Sequence, residues 1–232
     1  CQQRHNRVTG GLQIAAVDPE DKPMSKDLIF YTNPMSRGRI VRWMLEEVGQ
    51  PYRTEILDYA TTLKGAEYLA INPMGKVPAI KHGDTVVTEG AAICAYLADA
   101  FPDAGLAPPP ADRGDYYRWL FFGAGPVEAA VTARSLGFEP KTEQKRMAGF
   151  GSLEDTLNAL ETAVMGRTFL AGDRFSAADV YTGSQIGWGM QFGSIDKRPA
   201  FTAYWDRVSS RPAAVRAREI DDALLPAQPQ PA

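Results

Sequence analysis

Two segments of the chain carry groups that could hold a small peptide-like molecule. NPMGKVPAI, Asn72 to Ile80, has a Val-Pro pair at the head of an apolar run. TEGAAICAYLAD, Thr88 to Asp99, puts an acidic residue at the mouth of a helix, with Glu89 twelve positions after Val77. If the Val77–Pro78 bond is cis, the Val77 N–H and C=O turn away from sheet pairing and can meet a ligand that has its own backbone. A trans proline opening an edge strand fits the same residues, since cis makes up only about 5–6% of X–Pro bonds in folded proteins. Glu89-Gly90 stands between a strand and a helix, so the N–H groups of the first helical turn face outward and favour an anion. With Glu89 beside them to meet an ammonium group, the site suits an α-amino-acid head. Glu89 capping only its own helix is equally compatible.

Other chemistries find less support. His5 and His82 lack metal-ligand spacing, and neither a paired-carboxylate nor a Ser-His-Asp arrangement is visible, so no metal is expected. The two cysteines, Cys1 and Cys94, make no disulfide framework, zinc site or CxxC motif by spacing. Cys94 lies on an Ala-rich helix and reads as packing. The net charge of −3 over 232 residues gives no reason to expect nucleic acid or an acidic membrane as partner. The Arg207 to Arg218 segment reads as a solvated helix face. No apolar run approaches the roughly 20 residues of a membrane span, and the polar start CQQRHNRVTGG lacks the apolar heart of a signal peptide. A cytoplasmic location is therefore expected.

These groups must be positioned by ordered elements, and the chain, 44% hydrophobic and 23% charged, can bury a good core. LIFYT, Leu28 to Thr32, has strand length and is closed by Asn33-Pro34. Ile40, Val41, Met44, Leu45 and Val48 recur at helical spacing, and Gly49 stops that helix. Tyr52 to Leu57 alternates like a strand, and a shorter helical stretch surrounds Ala66 to Ala70. VPAIKH and TVVTE form two strands about the turn Gly83-Asp84, and Ala91 to Ala100 is a helix. Strands alternating with helices, followed by a tight hairpin, give the mixed sheet of a thioredoxin-like domain.

FPDAGLAPPP marks a Pro-rich linker. Beyond it, helical patterns run through Tyr116, Trp119, Leu120 and Gly123, with a kink or stop expected at Gly125-Pro126. A long stripe links Met147, Phe150, Leu153, Leu157, Leu160 and Val164. Ser176 and Asp179 form a capping pattern before Val180; Phe201, Tyr204, Trp205 and Val208 mark another helix, and Pro212 begins a last one. The expected division is an N-terminal extension at residues 1–26, preceding or including the start-like Met24, an α/β thioredoxin-like domain at 27–101, a linker at 102–112 and an all-α domain at 113–232.

The strings SRGRIVRWMLEEVG, NPMGKVPAI, TEGAAICAYLAD and FSAADV, in this order and spacing, resemble the successive signature segments of the cytosolic glutathione S-transferase superfamily. The resemblance runs from about Lys26 to Asp222. It implies glutathione as co-substrate, with Val77 before a cis-proline at Pro78 pairing with the cysteinyl backbone and Glu89 and Gly90 at the γ-glutamyl end. The family's usual pair there is Glu-Ser or Asp-Ser. Gly90 lacks the hydroxyl, and one lost hydrogen bond to a charged group costs about 1.5–3 kcal/mol. Lys64 and Lys76 match positions that reach the glycyl carboxylate or nearby backbone in some classes; two solvated lysines fit as well. The resemblance also implies a hydroxyl or thiol after the first strand that activates the glutathione thiol. Ser36, near a helix start, is the first candidate, with Thr32 and Asn33 as alternatives, and Tyr31 is assigned to the sheet.

No cysteine occupies that loop, which argues against mixed-disulfide chemistry. An apolar wall from Met35, Tyr116, Trp119 and Phe122, with Trp188, Met190 and Phe192 as further candidates, would receive a small hydrophobic electrophile. The implied function is conjugation of the glutathione thiolate to such electrophiles by a homodimer. Glutathione-dependent peroxidase or reductase activity, or a non-catalytic module of the same fold, are the alternatives.

Overall fold

The strand Leu28–Thr32 (β1) alternates as its sequence predicts, with Leu28, Phe30 and Thr32 buried and Ile29 and Tyr31 half-buried. The computed structural model describes residues 27–225, so the expected N-terminal extension lies outside the described residues. β1 is followed by helix α1 (Gly38–Val48), β2 (Arg53–Ile56), the short α2 (Ala66–Leu69), β3 (Ala79–His82), β4 (Thr85–Thr88) and α3 (Gly90–Ala100). The four strands form one sheet in the order β2-β1-β3-β4. β1 pairs parallel with β2 and antiparallel with β3, and β3 pairs antiparallel with β4. This is the mixed, thioredoxin-like sheet that the element order requires.

The two faces of the sheet bury different sets. Phe30 and Ile80, opposite each other in register, join Ile40, Met44, Leu45, Ile93 and Leu97 of α1 and α3 in the main core. Ala79 on the other face packs with Leu63 and Tyr68, supported by Tyr31, Leu57 and Val77. α1 ends where Gly49 adopts a left-handed conformation, φ 70°, and its N–H donates to the Leu45 carbonyl.

The second domain is helical. α4 (Gly114–Phe122) leads through a wide turn at Gly123–Val127 into α5 (Glu128–Ser135), and α6 (Leu153–Val164), α7 (Ala177–Phe192), α8 (Pro199–Ser209) and α9 (Pro212–Ala223) follow. Gly125-Pro126 therefore does not end the helix. A π-type turn accommodates Pro126, which has no N–H to donate, and the chain stays helical on both sides. The expected stripe from Met147 to Val164 is shortened. Its helix starts only at Leu153, where the Ser152 hydroxyl accepts the Asp155 N–H at 3.1 Å; Gly151 at φ 66° stands before it, and Met147 is exposed.

Ser176 and Asp179 form the predicted capping box of α7. Asp179 is fully buried and also accepts the Leu170 N–H at 2.8 Å and the Tyr204 hydroxyl at 2.7 Å. It therefore joins three parts of the helical domain. α9 returns to the first domain, where Asp221 meets Arg42 of α1 in a buried ion pair at 3.1 Å.

Candidate active site

The loop after β1 is held by its own side chains. Asn33 Nδ2 donates to the Leu57 carbonyl at 2.8 Å, while its Oδ1 accepts the Met35 N–H at 2.9 Å. Thr32 is fully buried, and its hydroxyl points to the Asn33 carbonyl at 3.4 Å. Ser36 is half-buried at the entry to α1: its hydroxyl donates to the Asn33 carbonyl at 2.6 Å and accepts the Gly38 N–H at 2.9 Å. Of the three hydroxyl or amide candidates, Ser36 alone is near the helix N-terminus with partial access. Gly38 was not singled out by sequence. A Cβ there would fall 1.9 Å from Thr32 Oγ1 and 2.9 Å from Ser36 Oγ, so the close approach of strand end and helix start requires glycine.

The Val77–Pro78 bond is cis. Among the described residues, no hydrogen bond engages the Val77 N–H or C=O, and β3 begins only at Ala79. The preceding loop is pinned at the Lys76 carbonyl, which accepts both the Tyr68 hydroxyl at 2.5 Å and the Asn72 amide at 2.8 Å. The exposed Lys64 ammonium donates to the Met74 carbonyl at 2.9 Å, which brings it beside the Lys76 loop. Lys76 itself is exposed.

Glu89 caps α3 with φ 66°, the one non-glycine positive φ among the described residues. Such a conformation is strained for an L-residue, and strain of this kind gathers at functional sites. Its carboxylate is exposed and has no hydrogen-bond or ion-pair partner among the described residues. Gly90 follows against the Tyr181 ring, whose Cε2 would stand 3.1 Å from an added Cβ. The glycine is thus matched to a tyrosine from the helical domain.

The expected apolar wall is divided. Met35 is 65% exposed and Phe122 half-buried, whereas Tyr116 and Trp119 are only 1% and 3% exposed. Those two side chains belong to the main core, and α4 is tied to α7 where the Thr182 hydroxyl donates to the Trp119 carbonyl at 2.8 Å. Met190 is buried and Trp188 packs against the same core, while Phe192 is exposed. Cys94 is fully buried, and burial pushes its thiol far above the usual range, so it stays protonated and unreactive. Cavities of about 490 Å³ between α6 and α8 and about 480 Å³ beneath the Phe138–Glu154 segment include none of the predicted site residues.

Glu128 and Tyr181, which sequence reasoning passed over, link the entry of α1 to α5 and α7. Glu128 Oε1 lies 2.9 Å from Arg37 Nη2, and Glu128 Oε2 accepts the Tyr181 hydroxyl at 3.0 Å. The site thus combines a hydroxyl at a helix N-terminus, an unpaired backbone amide and carbonyl, and a free carboxylate at a second helix N-terminus. A hydroxyl, an open stretch of peptide backbone and a carboxylate beside helix N–H groups are the chemistry that a peptide-like ligand with an amino-acid head requires.

Residues 35–100 match the glutathione S-transferase N-terminal domain and residues 119–212 the glutathione S-transferase C-terminal domain. The chain belongs to the glutathione S-transferase family. It is 32% identical over 165 residues to the glutathione S-transferase GstA of Escherichia coli O157:H7, covering 69% of this chain and 78% of that protein. A solved glutathione transferase of Methylococcus capsulatus superposes with a TM-score of 0.70 at 32% identity, covering 84% of this chain and 99% of that one. A sphingomonad glutathione S-transferase solved in complex with glutathione gives a TM-score of 0.68 at 31% identity, covering 84% and 98%. Among the described residues, no helix of this glutathione S-transferase family member is long and apolar enough to cross a membrane, and no cluster of metal-ligating side chains is present.

Proposed function

We propose that the protein is a cytoplasmic glutathione transferase that conjugates the thiolate of bound glutathione to small hydrophobic electrophiles, and that it works as a homodimer. In this reading Val77 and Pro78 receive the cysteinyl backbone, Glu89 and Gly90 the γ-glutamyl end, and Lys64 and Lys76 the glycyl carboxylate. Met35 and Phe122 border the electrophile.

The observation that carries the reading is the position of Ser36. Its hydroxyl stands at the N-terminus of α1 with partial access, while Thr32 is buried and both ends of the Asn33 amide are engaged. A short rotation of the Ser36 hydroxyl from the Asn33 carbonyl toward the cleft would let it donate to a glutathione sulfur. That hydrogen bond, with the helix dipole behind it, stabilises the thiolate near neutral pH. The thiolate then attacks the electrophilic carbon, forming the C–S bond as the leaving group departs or the acceptor takes up a proton.

Calorimetric titration with glutathione, followed by turnover with a model aryl halide and an organic peroxide, tests this. Binding with aryl-halide turnover supports conjugation, and turnover on peroxide alone transfers the assignment to glutathione-dependent peroxidase activity. Binding without turnover on either identifies a non-catalytic module, and absence of binding removes the site assignment. The second and third readings draw on two features: the Ser36 proton lies on the Asn33 carbonyl, and Gly90 lacks a hydroxyl. Sedimentation at twice 25.3 kDa is expected for the dimer, and a single species at that mass itself would overturn it.

A further inference from the structure

Four residues from four elements meet in a line across the domain interface. Arg37, directly after Ser36, reaches Glu128 at the start of α5 through Nη2 and Oε1 at 2.9 Å. The second Glu128 oxygen accepts the Tyr181 hydroxyl of α7 at 3.0 Å, and the Tyr181 ring closes on Gly90 at the start of α3. The line begins one residue from the candidate thiol donor and ends one residue from Glu89. Folding gives little reason for the ion pair. With side chains 52% and 29% exposed, a pair of this kind contributes only about 0–1 kcal/mol to stability.

Its place between the residue after Ser36 and the residue after Glu89 supplies a reason. We infer that Arg37 and Glu128 balance the charge felt by the thiol of bound glutathione, Arg37 as the neighbouring cation and Glu128 as the positioning residue that holds and offsets it. Tyr181 fixes the Glu128 carboxylate relative to Gly90. The inference rests on the glutathione reading above. The charged and titratable groups around the line can be named. On α1, Arg39 is turned away to Asp222 and the Pro34 carbonyl, which leaves Arg37 as the cation facing α5. On α3, Glu89 is exposed beside Gly90 and Cys94 is buried and protonated. On α7, burial first and Glu128 second push the Tyr181 hydroxyl well above its usual range, so it remains a donor throughout.

A charge balance makes predictions of opposite sign that a purely structural contact does not. Glu128→Gln keeps the shape and an acceptor but removes the anion, so the pKa of the bound glutathione thiol should fall. Arg37→Gln leaves the Glu128 carboxylate without its cation, and that pKa should rise. Each shift should be about half a pH unit, as befits partly screened charges, and the double variant should return near the wild-type value. Arg37→Lys keeps the charge and should hold the wild-type value. Tyr181→Phe should raise the KM for glutathione more than it moves the thiol pKa.

The readout is ultraviolet absorbance of the bound thiolate against pH, with glutathione affinity of each variant measured by calorimetry. Identical thiol pKa values in Glu128→Gln and Arg37→Gln, or shifts of the same sign, would overturn the inference while leaving the glutathione assignment intact. Failure of the wild-type protein to bind glutathione removes that assignment, and the inference with it.

Discussion

At the scale of single residues, Ser36, Asn33 and Gly90 have different work. Ser36→Ala should raise the pKa of the bound glutathione thiol and lower kcat/KM about 10- to 100-fold, the rate equivalent of one hydrogen bond to a charged group. Steady-state kinetics across pH give both values, and an unchanged thiol titration would transfer the role to Thr32 or Asn33. Asn33→Ala should act on stability instead. It strands the Leu57 carbonyl and the Met35 N–H, at about 1–3 kcal/mol for each group left without a partner, and should shift the denaturant midpoint without changing the slope. Gly90 forms a third case, since its missing hydroxyl is matched to the Tyr181 ring. Gly90→Ser should therefore not tighten glutathione binding by calorimetry, because the new Cβ meets Tyr181 Cε2 at 3.1 Å before the hydroxyl can help. A gain in affinity would show that the ring yields freely and that the glycine is only a lost contact.

At the scale of elements, the ion pair between α1 and α9 decides how the last helix is held. Arg42 and Asp221 are 2% and 1% exposed, and Arg42 also donates to the Tyr52 hydroxyl at 3.1 Å and the Thr54 hydroxyl at 2.8 Å. Removing one member of such a pair leaves a buried charge alone. Asp221→Ala should cost about 3–5 kcal/mol in chemical denaturation, whereas Arg42→Met with Asp221→Leu should recover most of that loss. A loss under 1 kcal/mol for Asp221→Ala would mean that water replaces the carboxylate. This pair also marks the limit of what the chain reveals as a string. Strand alternation in LIFYT, the α1 stripe from Ile40 to Val48 and the Ser176–Asp179 box are local patterns, so their elements could be read directly. The contacts Arg42–Asp221 and Arg37–Glu128 join residues far apart in the chain, and no local pattern encodes them. Tyr116 and Trp119 show a subtler limit: helical spacing gives the apolar face of α4 but not how deeply the core covers each side chain. The places of Glu89 at the start of α3 and of Val77 before Pro78 could be read because helix starts and prolines are where sequence punctuation is strongest.

At the scale of the whole molecule, the two domains share one core. Trp43 of α1 packs on Phe175 and Trp205 of the helical domain with ring centroids 6.0 and 6.2 Å apart, and its indole N–H donates to Glu47 at 2.9 Å. Glu47 in turn receives Arg211 through two hydrogen bonds of 2.7 and 2.8 Å, and the Arg211 guanidinium lies 3.8 Å from the Phe175 ring centroid. Arg39–Asp222 and Arg216–Glu46 add further pairs along the α1–α9 contact. A thioredoxin-like domain cut away at the linker would expose Trp43 and leave Arg42 buried without its carboxylate. The protein should therefore unfold as one cooperative unit, with a single calorimetric transition whose van't Hoff and calorimetric enthalpies agree per folding unit. The separated residues 27–101 should lack a cooperative transition. Two resolved transitions in the full chain, or a stable isolated first domain, would mean that the interface only docks two independent folds. The Arg37–Glu128 line would then report domain docking, and its variants would shift the lower transition together with glutathione affinity.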